Sequence, residues 1–180
     1  GVSQELARRE VRRKTTLIGA LMLRRGEADA MVCGTFGTYD MHMTFVQEVL
    51  GLREGCPTAA TMNALLLPTG NIFIADTYVN ANPTTEQIAE ITTLAAESMT
   101  RFGIVPKVAL LSHSSFGTVN ATSADKMRNA LPLIKAKMPN LEIDGEMQGD
   151  AALMEHIRKE SMPDSELKGA ANLLIMPNVE

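Results

Sequence analysis

Four hydroxyl residues and a glycine crowd into one seven-residue stretch, Ser112-His113-Ser114-Ser115-Phe116-Gly117-Thr118. Hydroxyl donors, exposed backbone N–H groups and a following helix N-terminus together make a cradle for an anion such as phosphate. An ordinary serine-rich connection is the alternative. The stretch is no P-loop, because the lysine of GxxxxGK[ST] is missing. His113 can position a ligand there or act as acid or base. Gly34-Thr35-Phe36-Gly37-Thr38 is a second small-residue loop, and it is not GxGxxG. Asp144-Gly145-Glu146-Met147-Gln148-Gly149-Asp150 gathers three carboxylates. If the chain stays extended, Asp144 and Glu146 point to one side, as a metal site or an acid/base pair requires. No histidine stands at a ligand spacing, so no metal is expected and a loop-holding role is favoured. His42 and His156 fall on helical patterns and read as ordinary surface or half-buried residues.

These loops need elements to position them. Val11, Leu17, Ile18, Leu21 and Met22 recur at helical spacing up to Gly26. Residues 30–34 read as a short apolar strand, and Met41, Phe45, Val46 and Val49 as a helix ending at Gly51. Residues 62–67 and 72–75 form a hairpin around Pro68-Thr69-Gly70-Asn71. The strongest helix opens at Asn82-Pro83-Thr84, with Pro83 in its first turn and Ile88, Ile91, Ala95, Met99 and Phe102 on its buried stripe. Then follow a strand at 108–111, a helix capped by Ser123 that Pro132 should kink or split, a strand at 142–145, a helix at 151–160 and a strand at 172–176. Apolar strands alternating with helices predict an α/β fold, a mostly parallel sheet with helices on both faces. Ligands bind beyond the carboxyl ends of such strands. Residues 34–38, 76–80, 112–118 and 144–150 all stand there.

Composition narrows the function. A net charge of −4 over 180 residues disfavours a nucleic-acid or anionic-membrane partner. Aromatics at 4% leave little for base stacking. Arg8 with Arg12, and Arg9 with Arg13, share one side of a helix; they read as a solvated face, the alternative being a collar for a polyanion such as a nucleotide. Cys33 and Cys56 form no CxxC pair, and two cysteines beside twelve methionines suit a reducing, cytoplasmic setting. No apolar run is long enough to span a membrane.

Several segments, taken together, resemble the phosphate acetyl/butyryl transferase family. Residues 76–89, DTYVNANPTTEQIA, resemble its DxxVNxxPTxEQLA signature. Residues 108–118 are similar to its VALLSxSxxGS strand and loop, 141–152 to LxIDGExQxDAA, 171–177 to ANxLIxP and 24–34 to its GEADAMVxG segment. The variants RRKTTLI at 12–18, CGT at 33–35, MNALLLP at 62–68 and SHS at 112–114 are similar to one branch, the C-terminal domain of hybrid NADP-dependent malic enzymes of bacteria. The resemblance implies a phosphotransacetylase-like fold of isocitrate/isopropylmalate dehydrogenase-like architecture. It implies residues 1–29 as a helical lead-in and 30–180 as the central sheet domain. It further implies acetyl-CoA or acetyl phosphate as ligand, held by Ser112, His113, Ser114, Ser115, Gly117 and Thr118 with Gly34, Thr35, Asp144 and Glu146. The segment needs no cofactor of its own. NADP and a divalent metal belong to the malic enzyme domain of the same chain, which decarboxylates malate oxidatively to pyruvate. Homo-oligomers are expected, through apolar faces of residues 8–23 and 39–50.

Two departures point to a regulatory rather than a transferring domain. Transferases of this family usually carry an arginine in a TxxxxxR pattern after the Gly34 loop, and the matching position is Thr44. A developing charge at phosphorus needs a cation that threonine cannot supply. The family's Ser-Arg-Asp segment is expected beyond Glu180, in a larger protein from which this chain is a part. The alternatives are an active phosphate acetyltransferase and a metal-dependent, dehydrogenase-like domain using Asp144, Glu146 and Asp150.

Overall fold

A computed structural model describes residues 2–179. The chain forms two compact units, Gly1–Pro57 and Thr58–Glu180.

The first unit is built from helices. α1 (Gln4–Arg13) and α2 (Thr15–Arg24) were expected as one helix, but Lys14 breaks it with φ −124° and ψ 89°. Thr15 and Thr16 follow, β-branched residues that lose side-chain freedom inside a helix. The Lys14 ammonium is held by Glu10 at 2.6 Å and lies 5.0 Å from the Phe45 ring. α3 (Tyr39–Val49) forms as expected, capped by the Thr38 hydroxyl. Residues 30–34 are not a strand. A strand needs a neighbour for its N–H and C=O groups, this unit offers none among the described residues, and Val32 is fully exposed.

The second unit is a five-stranded sheet in the order β1-β2-β5-β3-β4. β1 (Met62–Leu67) and β2 (Gly70–Ala75) make the expected antiparallel hairpin. β5 (Leu173–Ile175) lies parallel between β2 and β3 (Lys107–Leu111), and β4 (Glu142–Met147) runs parallel on β3. Alternation separates the faces. Val108, Leu110, Leu173 and Ile175 pack under α4 (Thr85–Arg101) and α5 (Thr122–Lys137). Ala109, Met147 and Leu174 meet α6 (Gly149–Leu153) on the other face, with Ile157 of α7 (Glu155–Ser161) packed against them.

α4 starts at Thr85, after the segment expected to open it. Pro83 precedes the cap, and Thr84 with Gln87 forms a reciprocal capping box, of the kind whose loss to alanine costs about 1 kcal/mol. Ala121 holds the N-cap position of α5, so Ser123 lies inside the first turn rather than capping it. The helix also runs unbroken through Pro132. Met127, Ala130 and Ile134 are fully buried around that proline, and their burial outweighs the ~3 kcal/mol a helical proline costs.

The expected helix at 151–160 is two helices broken at Met154. The free carbonyls at the end of α6 are taken from elsewhere: Arg158 Nη1 donates to Ala151 O at 2.8 Å and Ala171 N to Ala152 O at 2.9 Å. Arg158 is fully buried, and its Nη2 also donates to Leu167 O and Gly169 O at 2.9 and 2.7 Å.

Candidate functional site

The carboxyl ends of the parallel strands carry the polar residues of the second unit. At the end of β2, Asp76 is 4% exposed and accepts an unusual number of bonds. Its Oδ1 takes Thr61 N at 3.1 Å, Thr61 Oγ1 at 2.5 Å, Tyr78 N at 3.2 Å and Val79 N at 3.3 Å. Its Oδ2 takes Asn80 N at 2.8 Å and Asn80 Nδ2 at 2.5 Å. Burial alone would raise the Asp76 pKa, but the hydrogen bonds from Thr61, Asn80 and Tyr78 together hold it below the ordinary carboxylate value. Asp76 thus ties β1 to the turn after β2.

The 112–118 loop is built differently from an open cradle. Ser114 N donates to Ser112 Oγ at 3.2 Å, Ser115 N to Thr118 Oγ1 at 3.1 Å and Phe116 N to Glu146 O at 2.8 Å. Gly117 N donates to Glu146 Oε1 at 2.9 Å, Thr118 N to Ser115 O at 3.2 Å and Val119 N to Ser114 Oγ at 3.1 Å. The expectation that these N–H groups converge without local partners is therefore corrected. The loop closes on itself and on a carboxylate of β4.

That carboxylate, Glu146, is fully buried. Its Oε1 also accepts from Ser114 Oγ at 2.8 Å and Arg128 Nη1 at 2.9 Å. Arg128 lies on α5 and pairs in addition with Asp125. Gly145 makes the approach of β4 possible. It holds φ +139°, and a Cβ there would stand 2.7 Å from Leu110 O. Gln148 fastens the loop from the same side, its Nε2 donating to His113 O at 3.0 Å and its N to Ser115 Oγ at 3.3 Å. His113, Gly117 and Thr118 remain exposed, while Ser112 and Ser114 are buried behind them.

Asp144 and Glu146 do not converge. Asp144 accepts from Gly145 N at 2.8 Å, Ser165 Oγ at 2.6 Å and Glu166 N at 3.0 Å, so it anchors the 165–166 turn. Asp150 accepts from Ala151 N at 2.7 Å, in the first turn of α6. The three have separate partners, and among the described residues no group of three or more His, Cys, Asp or Glu is placed to hold a metal ion.

A cleft of about 640 Å³ opens between the first turns of α4 and α5. Lys126 lines it, donating to Asn82 Oδ1 at 2.8 Å and Pro177 O at 2.6 Å, and burial lowers its pKa.

In the first unit, Gly34 and Thr35 line a cavity of about 210 Å³ with Thr16, Cys33 and His42. His42 Nε2 lies 2.8 Å from Phe36 O, which can only accept, so Nε2 carries the proton there. Thr16 Oγ1 lies 2.7 Å from Nδ1. Thr44 donates its hydroxyl to Asp40 O at 2.8 Å, within its own helix. The arginines of α1 are exposed.

Arg128, Asp76 and Arg158 were not among the sequence candidates. Asp76 carried a signal, its place directly after a strand in the 76–89 segment. Arg128 and Arg158 carried none, since the Glu146 that Arg128 reaches and the carbonyls that Arg158 reaches stand on other elements.

The family model described as phosphate acetyl/butaryl transferase matches residues 1–180. An NADP-dependent malic enzyme of Salmonella typhimurium is 61% identical over 180 residues, all of this chain and 24% of that protein. A phosphate acetyltransferase of Haemophilus influenzae is 33% identical over 175 residues, covering 97% of this chain and 25% of that one. Among solved structures, a phosphotransacetylase from Streptococcus pyogenes superposes with a TM-score of 0.86 at 29% identity, covering 93% of this chain and 51% of that one. The chain spans about a quarter of the length of the curated relatives it matches.

Proposed function

The chain belongs to the phosphate acetyl/butaryl transferase family, and on that premise we propose that it is a catalytically silent, acetyl-CoA-binding regulatory domain of an NADP-dependent malic enzyme. The parent protein then decarboxylates malate to pyruvate, with NADP and a divalent metal held outside this segment. The malic enzymes similar to it along its whole length support that parent. The phosphotransacetylases support a CoA ester as the ligand class.

One observation favours silence over transfer: Thr44 stands where a transferase of this family is expected to carry an arginine, and α3 offers no arginine in its place. A transferase needs donors aimed at the charge that develops during reaction. The Thr44 hydroxyl is instead engaged by Asp40 O. The proposed ligand contacts are the exposed His113, Gly117 and Thr118 with the half-buried Ser115, while Ser112 and Ser114 shape the loop from behind. Gly34 and Thr35 line a cavity within the first unit. Asp144 and Glu146 act by holding loops. The site is proposed to work in the cytoplasm; no helix among the described residues is long and apolar enough to cross a membrane.

The reading is tested by malate oxidation in the full-length protein with acetyl-CoA varied. Ser114→Ala removes a hydroxyl that orders the loop, and the acetyl-CoA concentration for half response should rise about tenfold, as for one lost hydrogen bond of ~1.4 kcal/mol. A wild-type protein whose malate turnover ignores acetyl-CoA overturns the regulatory reading. A phosphate acetyltransferase activity would instead follow the second reading, which the family membership keeps open.

A further inference from the structure

Glu146 is bound in a lopsided way. Its Oε1 takes three donors of different kinds: the Ser114 hydroxyl at 2.8 Å, the Gly117 N–H at 2.9 Å and the Arg128 guanidinium at 2.9 Å. Its Oε2 is buried and has no hydrogen-bond partner among the described residues. A hydroxyl, a backbone N–H and a guanidinium converging on one point is the chemistry that binds an anionic oxygen. A structural carboxylate buried for packing would have both oxygens satisfied, because each buried unpartnered acceptor is costly. Two of the three donors are reachable from outside, with the Ser114 hydroxyl buried behind them. Gly117 is exposed and the Arg128 side chain is 28% exposed, whereas Glu146 enters from beneath, on β4.

We infer that Ser114, Gly117 and Arg128 form a binding site for a carboxylate or phosphate oxygen, filled at rest by the side chain of Glu146. An external anion competes there with an internal one. The unpartnered Oε2 weakens the hold of the internal ligand, and Gly117 leaves the approach to Arg128 open. The inference rests on the reading of the 112–118 loop as a ligand-binding segment, but not on that ligand being acetyl-CoA.

The test uses inorganic phosphate as the probe, titrated calorimetrically into the full-length protein. Glu146→Ala should bind phosphate at least tenfold more tightly than wild type, and adding Arg128→Ala should abolish the gain. Equal phosphate affinity in wild type and Glu146→Ala overturns the inference, as does a gain that survives loss of Arg128. Because removal of Glu146 can loosen the loop, melting is followed as well, in acetate and in chloride at equal ionic strength. Acetate should raise the melting temperature of Glu146→Ala by more than it raises that of wild type, by supplying the missing carboxylate. Identical shifts count against the site. If phosphate behaves as stated while acetyl-CoA fails to bind, the anion site stands and only the identity of the regulatory ligand falls.

Discussion

Gly145→Ala is expected to destabilise the protein by more than about 3 kcal/mol, the scale of forced overpacking combined with backbone strain. Two independent effects add. Gly145 holds φ +139°, a conformation L side chains rarely adopt. Its missing Cβ would also stand 2.7 Å from Leu110 O and 2.9 Å from Leu110 Cβ, on the neighbouring strand. Leu110 is fully buried and its backbone belongs to the β3–β4 ladder, so neither atom can move aside cheaply. β4 would have to lift away from β3, carrying Glu146 from Ser114, Gly117 and Arg128. Urea denaturation should show a much lower midpoint, and the phosphate affinity gained on emptying the Glu146 site should not appear in this background. An unchanged midpoint in Gly145→Ala would show that the close approach of β4 is not required.

Asp76→Ala should cost about as much, on the order of 3 kcal/mol, because it leaves several donors without an acceptor. The groups that lose their acceptor are the part-buried N–H groups of Thr61, Tyr78, Val79 and Asn80, whereas the Thr61 hydroxyl keeps Thr77 Oγ1 and the Asn80 amide keeps Ala59 O. Asp76 also sets a pH dependence. Burial opposes its charge, but the bonds from Thr61, Asn80 and Tyr78 leave its folded pKa depressed. A depressed carboxylate contributes stability that is complete above its unfolded value, roughly 3.9, and is lost as pH falls through the lower folded value. Acid titration of wild type should therefore show a loss of stability below about pH 4 that is smaller in Asp76→Asn. Equal acid sensitivity in the two proteins would remove Asp76 from the account.

Legibility in the sequence followed the range of the interaction. The hairpin of β1 and β2, the stripe of α4 and the parallel strands arise from local period and turn residues, and all were readable. The apolar run at 30–34 had the right composition for a strand but no neighbour to pair with. The break at Met154 is matched by Arg158 and Ala171 taking the carbonyls at the end of α6, contacts that the apolar period does not carry. The site shows the same limit. Ser112–Thr118 and Glu146 were each recognisable as polar residues at strand ends. That Glu146 fills the loop could not be read, because it requires the register of β4 on β3 and an arginine from α5. The family signature at 76–89 marked Asp76 by position, while its role as an acceptor for β1 emerged only from the fold.

The central claim, a domain that binds acetyl-CoA without transferring its acetyl group, is tested most directly by one titration. Acetyl-CoA is added to the full-length protein in phosphate buffer, with binding heat recorded and free thiol measured in the same sample. The account predicts saturable heat and no release of CoA thiol above that of buffer. Thiol appearing in proportion to protein, with acetyl phosphate formed alongside, would make the chain an active transferase and contradict the account.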